Sequence, residues 1–490
     1  MAACPRSDIV REGEIGTYHT WSRCVQEAFL CGWHPFTGQS FEHRREWIRQ
    51  LLEYLASVFA VDVGSYNILS NHQHLIARTR PDIAATWSDE QVAWRWKLAW
   101  PQWRDGQWIR EPTDQEVEEV LAEKQQLPVL RGRLSSLSWF MARWKEPIAK
   151  LANAESGTKG HFYEQRFGSR ELLDDSANLC CHIYVDLNQV KAGQAATLVE
   201  SNYSAIQDRL LAWRAAEVRE SVEKFNRRTP AGYVLQTEDM ERLLADCFLA
   251  PIGNTGPVLL EPPVVLSATR ETADTADVAL MPAAELLPAA VETVEKAGDD
   301  GVAASLDSSA NAVGPDTSGE AAAVSRQTSV ADETRTSPNH DVALPAGTST
   351  AEAAPGNSNS ARATRTAPSR RPGRRPPPTR ERHRRLQRTR RRRASDHPFL
   401  GIPRTQYLAL VEWSCRQLTT PDPEPPADIQ TVLRSQGLEP KQWCTSLEHF
   451  EALFPRMVGH IDRIAEVLQR LGTTRAAAQS ACAALFTRGP

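Results

Sequence analysis

The stretch YNILSNHQHLIARTR (66–80) places a Ser70-Asn71 turn signal between two runs rich in aliphatic residues. Such a pattern reads as a hairpin, with strands over VDVGSYNIL (61–69) and QHLIART (73–79). Along a strand, residues two apart point to one face, so His72 and His74 direct both imidazoles the same way. Two imidazoles on one face of a buried strand call for an explanation.

Outward from the hairpin the pattern stays mixed. Upstream, GTYHTWSRCV (16–25) has strand composition, with Tyr18, Thr20 and Ser22 on one face and His19, Trp21 and Arg23 on the other. Between these strands FEHRREWIRQLLEYLASVFAV carries Trp47, Leu51, Leu55, Val58 and Phe59 at helical spacing. Downstream comes an insertion (about 81–130) whose first helix starts at a capping box, Ser88 with Gln91. A helix over about 136–152 follows. The Gly-rich break ESGTKGHFYEQRFGSR then leads to a helix over roughly 172–190. Strand, helix, strand, strand and later helices predict an α+β fold, an antiparallel sheet with helices on one side.

Beyond about residue 215 the composition changes. Residues 255–395 are poor in aromatics and rich in Ala, Pro, Ser and Thr, acidic over 271–341 and arginine-dense over 362–393. Such a chain buries too little apolar surface to fold, so 216–395 is expected to be mostly a disordered linker. Helical periodicity returns past Asp396, in Leu408, Val411, Cys415 and Leu418, and in Met457, Ile461, Ile464, Leu468 and Leu471. The expected organisation is a domain over 1–215, the linker over 216–395, and a small all-helical domain over 396–490.

The bulk numbers narrow the function classes. The chain has 490 residues, 24% of them charged and 41% hydrophobic, and no apolar run approaches the roughly 20 residues of a membrane helix. The stretch MAACPRSDIVREGEIG has no hydrophobic signal core, so a cytoplasmic protein without membrane partners is expected. The nine cysteines include no CxxC, which predicts reduced thiols and disfavours zinc fingers. A net charge of −4 averages over the acidic and basic blocks and describes neither. The arginine block suits weak, salt-sensitive affinity for nucleic acid, and the acidic block before it could fold back and mask it.

His72 and His74 fit two ligands of a divalent cation. Twelve histidines in 490 positions give about 0.3 such pairs by chance, so the pair needs a partner elsewhere. CHIYVDLNQVKAG (181–193) offers one. Tyr184 and Asn188 lie four apart on a helix, a hydroxyl that could act as nucleophile beside an amide oxygen that could complete a coordination sphere. A core tyrosine, with Asn188 near a helix end marked by Gly193, is the alternative.

The series of strand, helix, strand, SNHQHLI, insertion, HFYEQRFGSRELLDD and HIYVDLNQVKAG resembles the REP-associated tyrosine transposases, single-tyrosine members of the HUH endonucleases. The resemblance runs from near Tyr18 through SNYSAIQDRL (201–210). It resumes weakly in FLGIPRTQYLALVEWSCRQL (399–418), while the linker has no counterpart. It implies a ferredoxin-like antiparallel sheet with His72 and His74 as the HUH pair, Tyr184 as nucleophile and Asn188 as third metal ligand. It further implies single-stranded or hairpin DNA as the substrate; for the metal, two imidazoles with an open oxygen-rich remainder suit magnesium or manganese. Tyr184 would attack phosphorus to give a 5′-phosphotyrosine and a free 3′-hydroxyl, a step that a second 3′-hydroxyl reverses. Two positions depart from the family pattern. Gln73 stands where a hydrophobic residue is usual, and Gln189 where the family has proline.

For DNA contacts the expected residues are Tyr163, Arg166 and Arg170, with Phe162 and Phe167 beside them as stacking surfaces, and Lys191 near Tyr184. Two other readings compete: a domesticated protein that binds hairpins without cutting, and a rolling-circle initiator or relaxase. The latter usually has its HUH motif downstream of the tyrosine, or paired tyrosines. Homodimer and monomer both stay open.

Overall fold

The first strand, β1 (Thr17–Arg23), is followed by α1 (His43–Ala56) and then by the hairpin of β2 (Val61–Ile68) and β3 (His72–Thr79). The computed structural model describes residues 8–25, 28, 30–33, 38–228, 235–253, 392–419, 424–473 and 478–486. The linker expectation falls mainly on 254–391, outside the described residues. The arginine-block and acidic-mask expectations lie there too, apart from Arg392 and Arg393.

The insertion holds α2 (Pro81–Thr86), α3 (Asp89–Leu98), the β4–β5 hairpin (Gln102–Arg104, Gln107–Ile109), α4 (Asp114–Ala122) and α5 (Leu127–Arg133). The expected capping box at Ser88 forms, with Gln91 N donating to Ser88 Oγ (3.2 Å) and Ser88 N donating to Gln91 Oε1 (2.9 Å). Then come α6 (Leu137–Ser156), β6 (Gly168–Leu172), α7 (Asp175–Asp186), the single turn α8 (Asn188–Lys191), α9 (Ala205–Asn226) and α10 (Thr237–Leu243). Helix α9 runs past the boundary expected at 215. The last segment holds α11 (Arg404–Thr419), α12 (Ala427–Ser435), α13 (Pro440–Glu448), α14 (Phe450–Leu453), β7 (Met457–Val458), α15 (Ile461–Arg470) and α16 (Gln479–Leu485).

The fold is α+β. One sheet has the order β2-β3-β1-β6-β7, antiparallel except for the parallel β6–β7 edge. The period-2 alternation of β3 divides its side chains between two cores. Leu75 and Ala77 pack with α1 and α6, whereas Ile76 packs with α7 and the C-terminal helices. Both faces are therefore covered, and the expectation of helices on one side is corrected. Every residue of β2 is buried, as a strand enclosed on both faces must be.

The all-helical domain expected over 396–490 is not separate either. Residues 1–263 and 374–490 form one compact unit, to which everything described here belongs. Its C-terminal part supplies the fifth strand, β7, where Glu171 aligns with Met457 and Leu172 with Val458. Tyr407, Leu410 and Val411 of α11 are fully buried, while Leu408, Cys415 and Leu418 of the expected stripe are half-buried. Polar anchors reinforce the join. The fully buried Asp62 carboxylate accepts from Arg78 (2.9 Å), Arg80 (3.0 Å) and Ser395 Oγ (2.8 Å), and Tyr407 donates to buried Asp186. Among the described residues no helix is long and apolar enough to cross a membrane.

Candidate active site

Register sets the site. In the β1–β3 ladder Trp21 lies opposite His74, Arg23 opposite His72 and His19 opposite Ile76, so these side chains share the sheet face that α7 covers. At the edge of this group, Gly168 on β6 lies opposite Trp21. A Cβ at Gly168 would come within 2.3 Å of the indole, so only glycine lets the ring lie flat there.

His74 is 1% exposed and His19 fully buried. Their rings stack with centroids 5.1 Å apart and are joined by a 2.9 Å hydrogen bond between His19 Nε2 and His74 Nδ1. Burial pushes both pKa values well below the ordinary imidazole range. His72 adds to this at His74, and Arg170 at His19. Both rings are neutral, the form that ligates metals. His74 Nε2 is buried with no hydrogen-bond partner among the described residues. His72, at the strand end, bonds Asn71 Oδ1 through Nδ1 at 2.7 Å, and its ring meets that of His74 edge-on at 5.0 Å.

Helix α7 begins at Asp174, whose side chain caps Ala177 N at 2.8 Å, and carries Tyr184 to the pair. The Tyr184 ring stands edge-on to His74 (5.8 Å) and His19 (6.0 Å). It is 5% exposed. Burial, and after it the neighbouring Glu451 carboxylate, raises its pKa far above the ordinary phenol value, with Arg170 opposing. Asn188 opens the single turn α8 just after α7 ends, and its side chain lowers the Tyr184 pKa. The Tyr184 hydroxyl donates to Glu451 Oε1 at 3.0 Å.

The expected quartet His72, His74, Tyr184 and Asn188 is thus brought together. The expected DNA contacts divide. Arg166 is exposed and, with Trp21 and Arg23, lines a cleft of about 160 Å3 beside the site. Lys191 lies 5.5 Å from the Tyr184 ring centroid. Arg170 is 1% exposed, packed on Trp21 and Phe450 beneath the site rather than presented to solvent. Phe162 and Phe167 are buried in the opposite core with Tyr163 partly buried against it, and all three line a cleft of about 440 Å3 with Arg166.

Two groups of the site carry no sequence signal. His19 shares the face of Trp21 and Arg23, but nothing in its own strand tells which strand pairs beside it. Phe450 and Glu451 come from a distant segment that carries no motif. Among the described residues no three His, Cys, Asp or Glu side chains are placed to hold a metal together. The donors that fit a divalent cation are the two imidazoles, above all the partnerless His74 Nε2, with the Asn188 oxygen. All eight described cysteines are free. Compared with known proteins, the chain matches no family model, no curated protein and no solved structure.

Proposed function

We propose that this chain is a metal-dependent endonuclease and strand transferase for single-stranded, hairpin-flanked DNA, a transposase of the single-tyrosine HUH type with Tyr184 as nucleophile. The observation that carries the reading is the meeting of Tyr184 with the His72–His74 pair, in which His74 Nε2 is buried without a partner among the described residues. The fold supports it. Taken as β1-α1-β2-β3-α6-β6, the first six elements that build the sheet give the antiparallel order β2-β3-β1-β6, which is that of a ferredoxin-like sheet. The resemblance to REP-associated tyrosine transposases points the same way.

In this reading His72, His74 and Asn188 hold magnesium or manganese, which when bound supplies Lewis-acid polarisation of the scissile phosphate. His19 fixes the tautomer and orientation of His74 through its ring nitrogen. Tyr184, 5% exposed, presents a phenol whose oxygen attacks phosphorus as the 3′-oxygen leaves. The bond energy stays in the adduct, so the strand can be rejoined without ATP. Arg166 and Arg23, at the cleft beside the site, are placed to meet the backbone flanking the break.

The test is a denaturing gel of full-length protein with manganese and single-stranded hairpin oligonucleotides from its own gene flanks. A covalent protein–DNA band is expected that disappears in Tyr184→Phe and with chelator. Tight binding with no adduct would instead establish a domesticated, non-cutting hairpin binder. The Phe450 ring stacked over Tyr184 is the observation that favours this second reading.

A further inference from the structure

The cover over Tyr184 comes from residues 447–451. A ring stack and three hydrogen bonds to its backbone carbonyls hold it. Phe450 stacks on the Tyr184 ring, with centroids 4.4 Å apart and planes 16° apart. Lys191 Nζ donates to the carbonyls of Leu447 (3.2 Å) and Glu448. Arg170 Nη1 donates to the carbonyl of Phe450 at 3.3 Å. So anchored, Glu451 sets its carboxylate against the hydroxyl of a tyrosine 267 positions away in sequence, Tyr184 Oη donating to Oε1 at 3.0 Å. Its other oxygen, Oε2, accepts from Arg23 Nη2 at 3.3 Å.

A phenol that attacks phosphorus must lose its proton. That proton leaves as the new bond forms, so an acceptor must stand within hydrogen-bond reach of the phenol oxygen. Asn188 cannot serve, since an amide takes up no proton at neutral pH. Glu451 is at the required distance, and Arg23 keeps it turned toward the phenol.

On the strength of the strand-transfer reading, we infer that Glu451 is a catalytic residue, the general base that takes the Tyr184 proton and the general acid that returns it. In cleavage the Tyr184 oxygen–phosphorus bond forms and the phosphorus–3′-oxygen bond breaks. The phenol proton passes to Glu451 Oε1, and the departing 3′-oxygen takes a proton from solvent. In rejoining, an incoming 3′-hydroxyl gives its proton to solvent and bonds phosphorus as the phosphorus–tyrosine bond breaks, and the tyrosine oxygen recovers the proton from Glu451. A single side chain then serves both directions, as microscopic reversibility requires.

The test uses full-length protein, manganese and the hairpin oligonucleotide. It measures single-turnover adduct formation at saturating DNA, and DNA affinity separately. Glu451→Gln and Glu451→Ala are expected to slow adduct formation by about 100- to 1,000-fold with affinity unchanged. Added formate is expected to restore part of the rate to Glu451→Ala, whose vacated space it can fill, and none to Glu451→Gln. The Glu451 side chain is 38% exposed, so a small carboxylate has access. Should Glu451→Ala fold poorly by its melting curve, the near-isosteric Glu451→Gln carries the rate comparison. Adduct rates at or above wild type would overturn the assignment and make Glu451 a restraint on Tyr184. Slow rates that formate leaves untouched would overturn it too, leaving only a positioning effect. No adduct from wild-type protein, with the hairpin tightly bound, would overturn the strand-transfer reading and this assignment with it.

Discussion

His74 shows how much of the site rests on one unmade bond. An unpaired polar atom in a low-dielectric interior costs about 1–3 kcal/mol, and His74 Nε2 bears such a cost while its other nitrogen is held by His19. A cation at Nε2 offsets the cost, and His19 is then the outer partner that sets the ligand's tautomer. Replacing it, as in His19→Phe, should weaken manganese binding about 10- to 100-fold, read by titration calorimetry, while the adduct reappears at high manganese. Unchanged manganese affinity would reduce His19 to a packing residue. The sequence made His72 and His74 legible because a strand's period is fixed by its own backbone. His19 was half legible: its face could be read, but its neighbour depends on the β1–β3 register, which involves two strands 55 residues apart.

At the scale of elements, the long periodic segments were legible and the short polar ones were not. The hairpin, α1 and α6 formed close to their expected bounds because each carries an unbroken apolar pattern. GSREL (168–172) does not look like a strand, yet it is β6 and is mostly buried. Its charged residues are buried only because distant partners receive them: Arg11 (2.5 Å) and Arg470 (3.6 Å) pair with Glu171, while Arg170 lies on Trp21 and Phe450. No window of local sequence contains those partners. The β2 bulge at Gly64 is similar, since its need for glycine comes from across the core. A Cβ there would lie 2.7 Å from Phe399 and 2.9 Å from His182 Nε2, both in rings buried on every side. Gly64→Ala should therefore cost about 1–3 kcal/mol in urea unfolding. An unchanged midpoint would mean that Phe399 yields freely and is not part of the core.

On the scale of the whole molecule, the question is whether the C-terminal helices are a passenger or half of the fold. Their amphipathic stripes were visible, but a stripe states only that something covers it, not what. The structure answers with one continuous core in which Ile76 of β3 and Leu179, Cys180 and Ile183 of α7 pack with Tyr407, Leu433, Trp443 and Leu468. Removing residues 392–490 would bare that face of α7, take β7 from the sheet edge and leave the buried Asp186 carboxylate without Tyr407. It would also remove Ser395 from Asp62, although Arg78 and Arg80 would remain there. Apolar burial contributes about 25 cal/mol per Å2, so losing a whole core face outweighs any polar group that survives. The full chain should accordingly melt in a transition lost as a unit from the 1–391 chain, which should be aggregation-prone and bind a hydrophobic dye. A 1–391 chain melting cooperatively at the full-length temperature would instead show a self-sufficient sheet domain. Tyr184 would then be open to solvent without Phe450 and Glu451, and the two outcomes are separable by calorimetry on the same pair of proteins.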